Sequence, residues 1–211
     1  MPGVANLCAT PGHRPYCQRF ALPEPQPAMI AFHIVPEAFS AVECARLAEI
    51  ARAAPAQEAG LVRRAKDQNL RRAELVWVDD VPGTDWVMDR LIDVVRVANR
   101  EVFDFDLQDF AESPQIARYD AAREGHFGWH SDVGDGTLAA RRKLTLVTQL
   151  SEPGAYKGGT LEVWFDSNLR TAPLEPGTAV LFPSFALHRV VPVTAGERLS
   201  LTVWAHGAPF R

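Results

Sequence analysis

Cysteine, excess basic charge and long apolar runs are all scarce or missing in this sequence of 211 residues. Its three cysteines are an odd and sparse set, which excludes a disulfide framework of the kind that small secreted proteins use. The net charge of -4 gives no electrostatic reason to expect nucleic acid or an anionic membrane as a partner. No apolar run reaches the roughly 18 residues that a bilayer-spanning helix needs. The N-terminus also lacks the apolar core of a signal peptide, so we expect a cytoplasmic protein.

Proline divides the chain into two predicted parts. Residues 1–27 hold six of its 16 prolines, a density that predicts an irregular arm rather than a packed element. Cys8, His13 and Cys17 lie in this arm, but they match no common zinc spacing and lack a fourth ligand. Residues 28–211 are long enough to form one domain with a sizeable core.

The first part of this domain is predicted to mix strands and helices, with strand candidates at residues 29–35 and 72–78. Ser40 and Glu43 form a capping-box pattern, which predicts that a helix starts at this point. The apolar stripe of this helix is made of Cys44, Leu47, Ala48 and Ala51. A second helix is predicted from Thr84, with an apolar face made of Val87, Leu91, Val94, Val95, Ala98 and Val102.

Five basic residues form a cluster between these elements: Arg63, Arg64, Lys66, Arg71 and Arg72. We interpret this basic cluster as a solvated loop. The alternative is that some of its members hold an acidic substrate, because guanidinium groups bind carboxylates through paired hydrogen bonds.

Beyond residue 115 the sequence changes to short apolar runs that are separated by Gly and Pro. Their content of β-branched residues predicts strands at residues 115–119, 126–132, 143–150, 159–165, 178–182, 187–193 and 198–205. Many short strands after two helices favour an α+β fold, in which the N-terminal helices pack on one face. We predict a double-stranded β-helix (jelly roll), since such barrels keep their binding sites inside the mouth.

Residue types that bind metals occur at three places on these predicted strands. His130 and Asp132 are two residues apart, so on a strand their side chains point to the same face. His188 follows 56 residues after Asp132 on a later strand. Two imidazoles and one carboxylate on one face of a metal are typical of non-haem Fe(II) oxygenases, and they leave other positions open. The pattern therefore predicts an Fe(II) site made of these three residues.

Arg198 and Ser200 form a second polar pair, on the strand after His188 and across a predicted turn at residues 195–196. The two side chains share one strand face. A guanidinium and a hydroxyl together suit a buried carboxylate, which arginine holds with two parallel hydrogen bonds. The far carboxylate of 2-oxoglutarate is such a group, so this pair predicts a 2-oxoglutarate site.

These motifs resemble the catalytic domain of prolyl 4-hydroxylase-like dioxygenases, and most closely the bacterial PKHD-type hydroxylases. The similar segments are residues 115–119, 126–132, 142–150 with Gly158-Gly159, 187–198 and, earlier in the chain, 34–40. The resemblance implies the jelly roll, Fe(II), 2-oxoglutarate and dioxygen, with ascorbate as an optional addition, and release of succinate and CO2. It also implies that Tyr119 contacts 2-oxoglutarate.

The substrate is left open at this point: an amino acid, a natural product, or a prolyl or peptidyl group. His126 and Trp204 are candidate substrate contacts, because they share strand faces with His130 and Arg198. For His126 the alternative is a solvent-facing or hydrogen-bonded core histidine, and for Trp204 it is plain core packing. Residues 133–142 form either a mobile lid or an ordinary hairpin loop. Eukaryotic prolyl 4-hydroxylases carry Lys in place of Arg198, so this resemblance does not fix the substrate.

A non-catalytic metal- or ligand-binding module of cupin type is the alternative function, since it would share the fold. Such a module has no need of Arg198 and Ser200 at a co-substrate site. Two related enzyme classes are excluded by single residues. Asp132 occupies the ligand position that a halogenase leaves to halide, and Trp204 stands where nucleic-acid demethylases usually carry a second Arg.

Overall fold

The computed structural model of this protein describes residues 32–58, 70–165 and 167–210. The predicted arm at residues 1–27 lies outside the described residues, and so do three members of the basic cluster, Arg63, Arg64 and Lys66. The division into an arm and a domain that begins at residue 28 therefore stays a prediction.

Helix α1 spans Ala41–Ala53 and begins with the predicted capping box. The Glu43 N–H donates to Ser40 Oγ at 3.2 Å, and the Ser40 N–H donates to Glu43 Oε2 at 2.7 Å. These two bonds satisfy backbone donors that the first turn of a helix leaves without partners. The stripe that the helix buries is the predicted one: Cys44, Leu47, Ala48 and Ala51.

Helix α2 spans Asp85–Ala98 and continues as a π-helical turn over Asn99–Phe103. Its predicted apolar face is buried except at Val94 and Val102, which are half-buried. Neither α1 nor α2, the two α-helices of the described chain, is long and apolar enough to cross a membrane.

Fourteen strands occur in the described residues. They are β1 His33–Val35, β2 Gln57–Glu58, β3 Arg71–Arg72, β4 Glu74–Trp77, β5 Leu107–Asp109, β6 Gln115–Asp120, β7 His126–His130, β8 Arg142–Gln149, β9 Tyr156–Gly158, β10 Leu161–Phe165, β11 Asn168–Thr171, β12 Ala179–Pro183, β13 Leu187–Val190 and β14 Val193–Gly207. Single 3-10 turns lie at Val78–Asp80, Ala121–Arg123, Ala139–Arg141 and Pro153–Ala155.

The strands form two antiparallel sheets, a major and a minor one. The order in the major sheet is β1-β12-β8-β14-β6-β4-β2, and β5 and β9 also pair with β14. The order in the minor sheet is β11-β10-β13-β7-β3. This arrangement confirms the predicted α+β fold, a double-stranded β-helix with helices on one face.

Two strand boundaries differ from the predicted ones for reasons of pairing. The run at residues 72–78 is not one strand, because β3 joins the minor sheet through Arg72 and β4 joins the major sheet through Glu74. The turn predicted at residues 195–196 lies inside β14, since β9 pairs with this end of the strand and opposes Tyr156 to Gly196. Local sequence patterns do not contain these long-range pairings.

Alternation along β14 separates two layers of core. The odd-numbered residues 199–205 pack against the helices, in a cluster that includes Leu47 and Leu91. Full burial of each such leucine contributes roughly 1.5–3 kcal/mol. The even-numbered residues 200–204 face the space between the two sheets, where they line a cavity together with His188 and Val190 of the minor sheet. The polar residues of β14 are thereby brought to the interior of the barrel.

Candidate active site

His130 and His188 face each other across neighbouring strands of the minor sheet. They are direct partners in the antiparallel pairing of β7 with β13, and their ring centroids lie 4.0 Å apart. Each Nδ1 lies next to a backbone carbonyl, Gly128 O at 2.8 Å for His130 and Ala186 O at 3.0 Å for His188. Because a carbonyl only accepts, Nδ1 carries the proton in both rings, and the lone pair of each Nε2 is available to a metal.

Asp132 completes the cluster, although it does not lie on a strand as predicted. Strand β7 ends at His130, and the Asp132 N–H in the following loop donates to Ser184 O at 2.9 Å. Asp132 Oδ1 is 3.7 Å from His130 Nε2, and Oδ2 is 3.4 Å from His188 Nε2. The three residues each place one ligand atom within 4.8 Å of the other two. Their spacing therefore suits one metal ion.

The protonation states of His130 and Asp132 also suit a metal. Burial, followed by the neighbouring His188, lowers the pKa of His130, so this ring is neutral near pH 7. Burial by itself raises the pKa of Asp132, but His188, His130 and the guanidinium of Arg142 outweigh it and lower the pKa. Neutral imidazole and ionised carboxylate are the forms that coordinate metals. Two of the former and one of the latter form the donor set of non-haem Fe(II) sites.

A chain of two buried hydroxyl groups, on Ser184 and Thr145, leads to the Asp132 carboxylate. Thr145 Oγ1 donates to Asp132 Oδ2 at 2.8 Å and lies 3.0 Å from Ser184 Oγ. Since Thr145 gives its proton to the carboxylate, Ser184 donates to Thr145. Neither residue was predicted from the sequence. Thr145 does carry a signal, because on strand β8 it shares a face with Gln149, another polar residue of the site.

The Arg198 guanidinium lies inside the barrel, and the residue is only 3% exposed. Its Nε donates to Gln149 Oε1 at 3.1 Å, and its Nη1 donates to Ser200 Oγ at 3.3 Å. The ring of Tyr119, its partner on β6, is centred 5.7 Å from the guanidinium carbon. Burial lowers the pKa of Arg198, against the opposing effect of Tyr119 and Tyr156, but an arginine stays charged at neutral pH.

No carboxylate among the described residues forms an ion pair with Arg198. A buried charge is normally paired, because its transfer out of water is otherwise unfavourable. The pocket around Arg198 is therefore suited to an anionic ligand. Of the surrounding groups, Ser200 and Tyr119 were predicted to contact this ligand, whereas Gln149 was not predicted.

Gly159 makes room for the Arg198 side chain. A Cβ at this position would lie 2.9 Å from Arg198 Cδ and 2.9 Å from Val193 Cγ2, closer than side-chain atoms normally approach. Its φ of +65° is also in the left-handed region, which glycine adopts without strain. The Gly158-Gly159 pair in the sequence thus has a structural role at the anion pocket.

Two cavities meet at the three-residue cluster. The outer cavity has a volume of 730 Å³ and is lined by His130 and Asp132 together with Arg71, Glu112, Arg142, Trp204 and mostly apolar residues. The inner cavity has a volume of 40 Å³ and is lined by all three cluster residues and by Tyr119, Ser200, Thr202 and Trp204. The inner cavity therefore leads from the cluster towards the arginine pocket, and the outer one leads to solvent.

The two predicted substrate contacts lie in different places. Trp204 lines both cavities. Its Nε1 is buried and makes no hydrogen bond with the described residues. The indole nevertheless helps to lower the pKa of Asp132. His126 lies at the far end of β7, with Nδ1 2.7 Å from Glu124 O, and it is not among the residues that line either cavity. The loop at 133–142 lines the outer cavity through Val133 and its neighbours.

A buried ion pair supports the mouth of the outer cavity. Arg142 Nε donates to Glu112 Oε2 at 2.6 Å, and Arg142 Nη1 donates to the backbone oxygen of Asp132 at 3.2 Å. His206 is fully buried; its Nδ1 accepts from the Ala111 N–H at 3.3 Å, so its Nε2 donates to Glu112 at 2.9 Å. His206 continues the series of inward-facing, even-numbered residues on β14 that begins at Arg198. This alternation is the sequence signal that could have identified His206.

Replacement of Glu112 by Gln is expected to destabilise the fold by about 3 kcal/mol at pH 7, because Arg142 would lose its buried partner. Burial alone raises the pKa of Glu112, but hydrogen bonds from Arg142 and His206 outweigh it and lower the pKa from 4.5 to about 2. A carboxyl group with a lowered pKa stabilises the fold above its unfolded value, and this contribution is lost as the pH falls from 4.5 towards 2.

Denaturant unfolding of Glu112→Gln and of the parent, at several pH values from 7 to about 3, measures this difference. The gap between the two proteins should narrow as the pH falls. Asp93→Asn is the matched control, because Asp93 pairs with Arg96 on the exposed surface of α2, where an ion pair contributes little. A gap that stays constant down to the lowest pH would show that Glu112 is not held in its ionised form.

Comparisons with known proteins agree with this site. Residues 114–206 match the 2OG-Fe(II) oxygenase superfamily. A PKHD-type hydroxylase of Polaromonas sp. is 37% identical over 97 residues, which are 44% of this chain and 42% of that protein. The chain thus spans about two fifths of the length of the curated relatives it matches.

Solved structures share the fold. A Pseudomonas putida prolyl-4-hydroxylase has a TM-score of 0.65 at 24% identity, over 83% of this chain and 92% of that one. A prolyl hydroxylase from Trichoplax adhaerens, in complex with a hypoxia inducible factor oxygen degradation domain peptide fragment, has a TM-score of 0.71 at 15% identity, over 83% of each chain. The matched superfamily implies Fe(II), 2-oxoglutarate and dioxygen as cofactors. Residues 114–206, which hold the His-Asp-His cluster and the buried arginine, thus match the 2OG-Fe(II) oxygenase superfamily, and part of the chain is similar to the PKHD-type hydroxylases.

Proposed function

We propose that this protein is an Fe(II)- and 2-oxoglutarate-dependent dioxygenase that hydroxylates an unactivated C–H bond and releases succinate and CO2. The strongest support is one juxtaposition inside the barrel. A two-histidine, one-carboxylate cluster lines the inner cavity together with Ser200 and Tyr119. Both of these residues lie next to Arg198, a buried cation that has no acidic partner among the described residues. The cluster suits the Fe(II), and Arg198 suits the 2-oxoglutarate, that give the matched superfamily its name.

In this proposal His130, Asp132 and His188 hold the Fe(II). When bound, Fe(II) would activate dioxygen, the oxidant; 2-oxoglutarate would supply two electrons as it becomes succinate and CO2, so that one oxygen atom enters succinate and the other the substrate. Gly128 O and Ala186 O fix the tautomers of the histidines. The hydroxyl group of Thr145, similarly, fixes the orientation of the carboxylate.

Arg198 and Ser200 bind the far carboxylate of 2-oxoglutarate, with Tyr119 beside it. Gln149 orients the guanidinium, and the guanidinium in turn donates to the Ser200 hydroxyl, so the two groups already lie together where this carboxylate would bind. The inner cavity of 40 Å³ has room for little more than one or two water molecules. The side chains along it therefore move apart when an elongated dicarboxylate binds.

The substrate occupies the outer cavity, where Trp204 and the loop at 133–142 contact it. A volume of 730 Å³ lies within the range of about 300–1,000 Å³ that is usual for small-molecule pockets. This supports an amino acid or natural product. The peptide complex of the Trichoplax adhaerens neighbour supports a prolyl or peptidyl substrate. His126 as a substrate contact and the cytoplasmic location stay predictions.

The test is substrate-stimulated turnover. Iron-loaded protein is expected to release succinate slowly with 2-oxoglutarate alone and much faster with the true substrate. Each succinate should be matched by one new hydroxyl group in the product. Under labelled dioxygen, mass spectrometry should find the label in that hydroxyl group. The substrate panel contains free amino acids, small natural products and proline-containing peptides.

Two results would contradict the proposal. A product without label would exclude dioxygen as the source of the hydroxyl group. Tight binding of metal without any metal-dependent succinate release, across the whole panel, would favour a non-catalytic binding module of cupin type.

A further inference from the structure

One member of the basic cluster, Arg71, lies in the wall of the active site. It is on β3 at the edge of the minor sheet, where it pairs with Phe127 on β7. Its guanidinium carbon lies 4.5 Å from the centroid of the Phe127 ring, and that ring stacks on His130 at 3.5 Å with an interplanar angle of 14°. A single aromatic ring therefore separates this cation from a metal ligand, and Arg71 lines both cavities.

The Arg71 guanidinium lacks a polar partner in the part of the chain that is described. Its Nε is buried and makes no hydrogen bond, and no acid within that part forms an ion pair with it. The other two arginines near the His-Asp-His cluster have polar partners. Arg142 donates to Glu112, and Arg198 donates to Gln149 and Ser200. A buried donor without an acceptor is rare in folded proteins, and in a cavity wall it marks a place where a ligand supplies the acceptor.

The chemistry of the cavity favours a carboxylate as this ligand. A guanidinium forms paired hydrogen bonds with either a carboxylate or a phosphate. Asp135 also lines the outer cavity, and its carboxylate would repel a doubly charged phosphate more strongly than a singly charged carboxylate. Much of the remaining wall is apolar and suits the carbon skeleton of such an acid: Leu70, Leu75, Trp77, Phe127, Val133 and Ala139.

We propose that Arg71 binds a free carboxylate of the substrate itself, so that the substrate is a carboxylic acid rather than an internal residue of a peptide. This inference rests on the proposed function, in which Arg198 is reserved for 2-oxoglutarate. The shared chemistry is an α-carboxylate, which either a free amino acid derivative or the C-terminal residue of a peptide can supply. For Arg71, this proposal favours binding of an acidic substrate over a place in a solvated loop.

The test compares acids with their amides. Protein loaded with Mn(II) and 2-oxoglutarate, which binds without turnover, is titrated calorimetrically with N-acetyl amino acids and with the matching N-acetyl amino acid amides. A second arm uses tripeptides with free and with amidated C-termini. At least one free acid should bind about 30-fold or more tightly than its amide, the difference expected for one charge-paired carboxylate. The arm that shows the stronger binding identifies the source of the carboxylate.

Three variants localise the effect. Arg71→Gln should reduce the preference for the acid to less than about threefold, while Mn(II) and 2-oxoglutarate affinities stay as in the parent. Arg71→Lys should retain part of the preference, because it keeps the charge but loses the paired geometry. Arg72→Gln is the control, since the neighbouring side chain pairs with Glu124 and is not among the residues that line either cavity. Thermal melting of all variants verifies that they fold.

Several outcomes would overturn the assignment of Arg71. It fails if acids and amides bind equally, if no acid in either arm binds, or if the preference survives in Arg71→Gln. A loss of 2-oxoglutarate affinity in Arg71→Gln would assign this residue to the co-substrate instead. Failure of the parent protein to bind Mn(II) or 2-oxoglutarate would remove the proposed function, and this inference with it.

Discussion

Replacement of His188 by Ala is expected to abolish turnover and to weaken metal binding by more than 100-fold. Loss of an outer hydrogen-bond partner of a metal ligand already costs roughly 10–100-fold in affinity, and loss of a ligand removes more. The same result is expected for His130→Ala and Asp132→Ala, since each residue supplies one of the three ligand atoms that lie within 4.8 Å of one another. Titration of the apoprotein with Mn(II) or with anaerobic Fe(II) measures the affinity.

The matched control for this experiment is His33→Ala. His33 lies on β1, at the edge of the major sheet, and its ring packs edge-on against Phe103 at 6.4 Å. Metal affinity should be unchanged in this variant. Parental metal affinity in any one of the three cluster variants would remove that residue from the proposed site.

The three cluster residues could be predicted from the sequence because their residue types and order are characteristic of a metal site. Their positions in space could not be predicted in the same way. The face that His130 and Asp132 share was expected from strand alternation, yet Asp132 reaches the cluster from a loop through its bond to Ser184 O. The direct pairing of His188 with His130 depends on the register of β7 with β13. A register of this kind is set by the whole sheet and cannot be derived from a local pattern.

The fold was predicted for a similar reason. Apolar residues at every second position identify strands and their buried faces. Strand β14 shows this alternation from Arg198 onwards, with apolar residues at the odd numbers and mostly polar residues at the even numbers. Arg71 shows what the pattern could not decide. Its place in the sequence is a basic run, but the pairing of β3 with β7 turns it towards Phe127 and His130. Partners such as Glu112 for Arg142 are likewise visible only once the strands are assembled.

Replacement of Arg198 by Ala is expected to raise the dissociation constant of 2-oxoglutarate by about two orders of magnitude or more. The variant leaves the far carboxylate of the ligand without its charged partner, a loss of about 2–5 kcal/mol. Metal affinity should persist, because Arg198 is not among the three cluster residues. Calorimetric titration of the Mn(II)-loaded variant with 2-oxoglutarate measures the effect.

Arg189→Ala is the matched control for loss of an arginine, since Arg189 pairs with Glu162 at 2.7 Å on the minor sheet and lines neither of the two cavities. A second comparison separates the charge of Arg198 from its packing. The ligand 2-oxopentanoate keeps the 2-oxo acid end and the carbon chain of 2-oxoglutarate but lacks the far carboxylate. If Arg198 acts on that carboxylate, the parent and Arg198→Ala should bind 2-oxopentanoate with similar affinity, and the large difference should be confined to 2-oxoglutarate. Equal losses for both ligands would mean that the substitution collapses the pocket around Gln149 and Ser200, and the assignment of Arg198 to the co-substrate would then be wrong.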